Sequence, residues 1–306
     1  MKSSLRLPAS GSSHHPGVLI VPDHPAARTS WRRLATGLLL AAAIFPAQPA
    51  FADLMINPTR IVFDKNRRAA QIDLINDGAT SATYRLVMVN RRMTEAGEFN
   101  AIDKAGPGEQ FADAMLVYSP HQITLAPGAQ QLVRVAVRKP EELADGEYRS
   151  HLFFEKVAQT TDDSNIETMG RKSTGEVGVS LTALIGVSIP VIVRHGETSA
   201  TVSIDHLALD TATAGQALLS LQLNRSGNRS VYGDLTVRFK PQGGPEQVVG
   251  KAGGVAVYAP NPLRRAKLSL QVPAGLALSR GTLSVTYQER ADDGGKLIAV
   301  GAVDLP

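Results

Sequence analysis

From residue 53 onward, short runs rich in Val, Ile, Leu and Thr alternate with clusters of Gly, Pro, Asn and Asp every 8 to 15 residues. That is the spacing of strands in a β-sandwich. No stretch holds a helical period for long. The pattern predicts strands over 55–63, 69–76, 83–90, 115–119, 122–125, 130–138, 148–157 and 177–193. Asn76-Asp77-Gly78, Ala126-Pro127-Gly128 and Asp145-Gly146 mark three of the turns, because Asn, Asp and Gly tolerate positive φ and Pro presets a turn's first central angle. Val193-Arg194-His195-Gly196-Glu197 then breaks the apolar pattern, and a second set of strands follows over 201–209, 217–224, 231–240, 255–258, 266–272, 281–289 and 297–303. The expected fold class is all-β: two tandem immunoglobulin-like β-sandwich domains, residues 53–195 and 196–306, the second close to the roughly 100 residues of such a domain.

The segment 177–193 is unusual. Every odd position is apolar: Val177, Val179, Leu181, Ala183, Ile185, Val187, Ile189, Val191 and Val193. With a period of two, all nine side chains share one face of an unbulged strand. Such a strand is 17 residues long, against a usual length of about 5 to 6. Its C-terminal half, Val187 to Val193, is expected to fill the core of the first sandwich, and the N-terminal half has no evident partner there. A long apolar edge is an aggregation hazard, blunted as a rule by charge or proline, and neither occurs before Pro190. Two readings stand: a strand buried wholly within a large sandwich, or a donor strand that adds to a partner's open sheet. The polar stretch 159–175 before it, with Asp162, Asp163, Ser164 and Asn165, reads as a loop that leaves the strand free to reach outward.

Composition changes the picture in two places. Cysteine is absent, which removes disulfides, thiol nucleophiles and cysteine-ligated metals. The formal net charge of +4 suggests an anionic partner until the N-terminus is considered. Trp31-Arg32-Arg33 followed by the apolar run 34–45 and by Ala50-Phe51-Ala52 reads as a secretion signal cleaved after Ala52. Its 12-residue apolar run is too short to span a bilayer, which takes about 20 residues. Arg32-Arg33 is also compatible with a twin-arginine signal, although Ala35 stands where that pattern favours Phe. Residues 1–30 carry no fold signal and fit a start codon placed too early. Residues 1–52 hold five basic residues and one acidic, so 32 basic and 28 acidic residues become 27 of each. A neutral secreted chain lacks the footprint that nucleic-acid binding requires.

At this point the chain resembles the periplasmic pilus-assembly chaperones of the chaperone–usher pathway, in a divergent or archaic form. The resemblance rests on Ile56-Asn57-Pro58-Thr59-Arg60-Ile61-Val62-Phe63, Ile75-Asn76-Asp77-Gly78, Tyr118-Ser119-Pro120 and Leu125-Ala126-Pro127-Gly128. It continues through Gln131-Leu132-Val133-Arg134-Val135, Asp145-Gly146-Glu147-Tyr148-Arg149 and the alternating strand ending in Arg194. The resemblance implies a boomerang of two immunoglobulin-like domains that captures incomplete pilus subunits, lends them a strand and delivers them to an outer-membrane usher, with no cofactor. It implies that Arg60 holds the subunit's C-terminal carboxylate and that Val177, Val179, Leu181, Ala183 and Ile185 fill the subunit groove. The family's second anchor is a lysine four residues before the position of Arg194; Pro190 stands there. Arg85, Arg91, Arg92 and Arg149 are candidates to replace it. Two donor strands covering each other would give a self-capping homodimer.

An enzyme is not expected. The chain has no G-x-S-x-G elbow, no H-E-x-x-H and no phosphate-binding glycine loop, and His121, His151, His195 and His206 have no partner pattern. Asp162-Asp163 alone is a weak cation site. The rival reading is a secreted structural or adhesive tandem-sandwich protein. Against it, the donor-like strand is internal, and the single Trp, Trp31, lies in the leader, leaving little to stack on a sugar.

Overall fold

The computed structural model describes residues 54–65, 67–157, 186–211 and 216–306. Among the described residues there are strands and short 3-10 turns but no α-helix. The strand expected over 55–63 is two strands, β1 (Leu54–Asn57) and β2 (Ile61–Phe63). Pro58 is the physical reason: it has no N–H to give to a ladder, and across Pro58, Thr59 and Arg60 the chain passes from one sheet to the other. β1 pairs with β3 (Ala69–Asn76), which pairs with β9 (Gln130–Val137), which pairs with β7 (Leu116–Ser119). In the opposing sheet β2 lies beside β11 (Gly186–His195), followed by β10 (Gly146–Lys156), β4 (Ala82–Val89) and β8 (Gln122–Leu125). This is the ABED-against-GFC arrangement of an immunoglobulin-like sandwich. The inner faces meet in a core that includes Phe63, Ile72, Leu74, Val133, Val135, Leu152, Phe154, Val191 and Val193.

The second sandwich sets β12 (Ala200–Asp210), β13 (Ala217–Gly227) and β16 (Leu263–Leu270) against β15 (Gln247–Val257), β14 (Val231–Pro241), β17 (Gly281–Gln288) and β18 (Leu297–Leu305). Its core holds Leu219, Leu223, Val237, Phe239, Leu283, Val285 and Tyr287. Burial pushes the Tyr287 phenol upward, and its hydroxyl donates to the Val255 carbonyl at 2.7 Å, as a buried hydroxyl must. The strand expected at 255–258 proves much longer, because glycines at 250, 253 and 254 hid the apolar alternation of β15.

Between the sandwiches the chain turns at Gly196, whose φ is +60°. A β-carbon there would overlap the Asp145 carboxylate, so the position takes glycine for two reasons. The hairpin of β5 (Arg91–Met93) and β6 (Phe99–Ala101) was not expected from the sequence: each strand is three residues long, too short to establish a period. It reaches the second sandwich. Met93 shares a small buried cluster with Ile192, Ala256 and Tyr258, the Asn261 side chain donates to the Met93 carbonyl at 2.6 Å, and the Arg265 amide donates to the Glu95 carbonyl at 2.7 Å. Glu95 and Arg265 also form an ion pair.

Candidate functional site

The outer face of β10 and β11 is where the two sandwiches meet. On β11 the expected alternation holds from Ile189 onward: Ile189, Val191 and Val193 are buried in the first core. Val187 departs from the expected core assignment, being 46% exposed, because the odd face of β11 runs past the edge of the core at that point. The even position Ile192 is fully buried against the second sandwich, a burial that the alternation alone did not indicate.

β11 is paired on one side along its whole length, with β10 from Gly186↔Glu155 to His195↔Gly146. On its other side β2 covers only Val191, Ile192 and Val193, in parallel register with Ile61, Val62 and Phe63. Among the described residues, 186–190 therefore have a main-chain edge with no strand beside it. The covering strand begins at Ile61, and the residue before it is Arg60. The remaining donor positions, Val177, Val179, Leu181, Ala183 and Ile185, lie outside the described residues.

Arg60 reaches into a cleft of about 720 Å³ between the sandwiches. Its side chain is only 11% exposed. The guanidinium lies over the Tyr232 ring, 4.7 Å from the centroid, a cation–π contact that fixes its plane. Its ion pair among the described residues is loose: Asp293 Oδ2 stands 3.9 Å from Nη1, on a side chain 48% exposed. Nε of Arg60 is buried with no hydrogen-bond partner among the described residues. Arg67, Arg194, Arg229 and Lys296 also line the cleft, against Asp64, Glu289 and Asp293. Five basic groups face three acidic ones, so the cleft suits an anion.

Arg194 is not free to serve that anion. Its Nε donates to Glu147 Oε2 at 3.0 Å, and Asp64 stands 3.5 Å from Nη1. Glu147 is 6% exposed. It also accepts from the Ser230 main-chain N–H at 3.2 Å and from the Ser230 hydroxyl. A carboxylate of the first sandwich is thus bound at once by its own β11 and by the second sandwich, a latch across the seam.

The candidates for a second cation divide cleanly. Arg85 donates to Glu155 from Nε at 2.8 Å, and Arg92 makes a two-point contact with Glu109 at 2.7 and 2.6 Å, which raises the arginine and lowers the carboxyl from their ordinary values. Arg91 lies over the Phe153 ring at 5.3 Å. Arg149 is buried, stacked over Tyr258 at 4.3 Å and donating to the carbonyls of Arg91 and Ala259 at 3.2 and 3.4 Å; burial pulls its pKa below the ordinary value. None of the four lines the cleft that holds Arg60. Beside Arg149, His151 is 1% exposed with neither ring nitrogen hydrogen-bonded. Burial, then Arg149 and Arg91, push its pKa down to about 3, so it is a neutral wedge in β10.

Tyr232, Glu147, Ser230 and Asp293 were not singled out as site residues from the sequence. Glu147 lay within the matched Asp145-Gly146-Glu147-Tyr148-Arg149 stretch. The other three come from the second sandwich, where nothing in the strand pattern marks a residue as facing the cleft.

No family model matches the chain, and no curated protein matches it. Solved structures similar to it include the YadV chaperone, at 11% identity and a TM-score of 0.41, covering 83% of this chain and 100% of that one. Another is the CsuC–CsuE chaperone–tip adhesion subunit pre-assembly complex from the archaic chaperone-usher Csu pili of Acinetobacter baumannii, at 13% identity and 0.40, covering 81% and 97%. A third is the Pseudomonas aeruginosa CupB2 chaperone, at 15% identity and 0.38, covering 82% and 99%.

Proposed function

We propose that the protein is a periplasmic chaperone that stabilises incomplete pilus subunits by lending them a strand and delivers them to an outer-membrane usher. The observation that carries this reading is the junction of an open strand edge with a sunken cation. Among the described residues, the edge of β11 over 186–190 has no strand beside it and runs up to the start of β2, and Arg60 stands at that junction with a buried Nε that has no partner there. A guest strand laid along the edge meets Ile61 and can go no further. Its terminal carboxylate then lies at a guanidinium, which gives a charge-assisted grip and sets register. Because β11 runs toward that junction, a guest strand ending there runs parallel to it.

The guest's groove would be filled by the odd series preceding Val187, namely Val177, Val179, Leu181, Ala183 and Ile185. Exposed Val187 is the described member of that series nearest to them. Each large apolar side chain so buried contributes about 1.5–3 kcal/mol before ordering costs. Ala183 is small and matches a shallow pocket.

The test is copurification from the periplasm of the native host, with Arg60→Ala and Leu181→Asp alongside the tagged wild type. Small secreted β-rich subunits are expected with wild type and lost from both variants. If nothing specific accompanies the wild type and both variants behave like it, the reading fails.

A further inference from the structure

The Arg60 site has a second unsatisfied cation, and it belongs to the other sandwich. Arg229 lines the same cleft. Like Arg60, it has a buried Nε with no hydrogen-bond partner among the described residues. Its main chain is pinned from both sides: the Arg229 carbonyl accepts from Arg225 Nη1 at 3.0 Å, and the next residue, Ser230, is held by Glu147 across the seam. Arg225 is itself buried, and its Nε donates to the Asn261 carbonyl at 2.9 Å. The position of Arg229 is therefore set by a buried network rather than by a mobile loop.

Two buried N–H donors without acceptors, carried by two guanidiniums facing one cleft, call for an acceptor that arrives from outside. A carboxylate suits them, since its two oxygens offer about four lone-pair sites. The cleft already receives one loosely: the exposed Asp293 carboxylate stands 3.9 Å from Arg60.

We propose that Arg229 is the second cation of the carboxylate site, so that a chain-terminal carboxylate is held between Arg60 of the first sandwich and Arg229 of the second. This rests on the reading of Arg60 as a carboxylate anchor. Its consequence is that the ligand bridges both sandwiches, and its grip depends on the seam that sets their spacing. Arg67 is the natural control. It lines the same cleft, but its Nη1 is directed at the Val62 carbonyl of β2, in its own sandwich, at 3.4 Å.

The experiment uses the full mature chain and a ten-residue peptide of alternating valine and serine, made with a free C-terminal carboxylate and again as the C-terminal amide. Calorimetric titration of wild type, Arg60→Gln, Arg229→Gln and Arg67→Gln reads the preference for acid over amide. Wild type is expected to prefer the acid by about tenfold, the worth of one charge-assisted hydrogen bond. That preference should fall to about twofold or less in Arg60→Gln and in Arg229→Gln and persist in Arg67→Gln. The unfolding midpoint of Arg229→Gln identifies any loss due to misfolding, and Arg229→Lys, which keeps the charge, should recover part of the preference. If the preference is lost in Arg60→Gln and intact in Arg229→Gln, the second cation is elsewhere and the proposal fails alone. Equal loss in Arg67→Gln would reduce the effect to net charge and overturn it. If wild type binds acid and amide alike, or binds neither peptide, the anchor reading of Arg60 falls and the proposal with it.

Discussion

The Arg60 guanidinium lies 4.7 Å above the ring of Tyr232, and the two residues come from different sandwiches. The cation is held in plane by a surface that the first sandwich does not supply. Tyr232→Leu removes the π face while keeping bulk. A cation–π contact at a partly desolvated site is worth about 0.5–2 kcal/mol. Guest affinity is expected to drop by about three- to tenfold with little change in the unfolding midpoint, measured by titration of a captured subunit.

Asp293 is expected to compete for Arg60. Its side chain is nearly half exposed and the 3.9 Å separation is long, so the pair contributes at most about 1 kcal/mol. Asp293→Asn should leave stability within about 0.5 kcal/mol of wild type and tighten binding of a carboxylate-terminated guest by up to about fivefold. Parallel urea titration and binding measurements check both halves.

Glu147 is the latch. With its carboxylate gone, Arg194 keeps only Asp64, and the Ser230 donors lose their acceptor. Removing one partner of a buried charged set costs about 3 kcal/mol or more. Glu147→Ala should therefore shift the urea midpoint strongly downward and let the sandwiches unfold in separate steps, resolved by comparing near-ultraviolet and far-ultraviolet signals.

His151 gives the fold a pH dependence of definite sign. Its folded-state pKa of about 3 lies below the ordinary 6.5, so between those values the unfolded chain binds the extra proton. Stability is expected to be flat above pH 6.5 and to fall as pH drops below it, with a limiting slope of about 1.4 kcal/mol per pH unit from this group. His151→Leu should lose that component. At pH 7.5 it should be at least as stable as wild type, because neither ring nitrogen has a partner to lose. Urea midpoints from pH 4.5 to 7.5 read the difference.

The sandwich strands were legible because most of them bury one face, and the period of two is written into β3 and β9 almost without interruption. The chain reversals at Asn76 and Gly128 were legible for the same local reason: the Asn76 side chain accepts from the Gly78 N–H at 3.0 Å, and Gly128 has φ +70°. Arg60 was reachable only through its matched motif, since a strand-end arginine is by itself unremarkable. The partners that give Arg60 its character, Tyr232, Asp293 and Arg229, lie more than 160 residues away in sequence, and a local pattern carries no information about what a seam brings together. The burial of Ile192 and His151 was not legible in the sequence for one reason. They lie on the outer face of their sheet, and only the second sandwich and the β5–β6 hairpin make that face an interior.

The central claim is that residues before Val187 enter a partner's sheet. Photo-crosslinking tests it directly, with Leu181 replaced by benzoylphenylalanine and the protein irradiated in the periplasm of its own host. The account predicts a covalent adduct with a small secreted β-rich subunit, joined within its apolar groove and lost when Arg60→Ala is added. Crosslinks only within the chain itself, unchanged by Arg60→Ala, would contradict it.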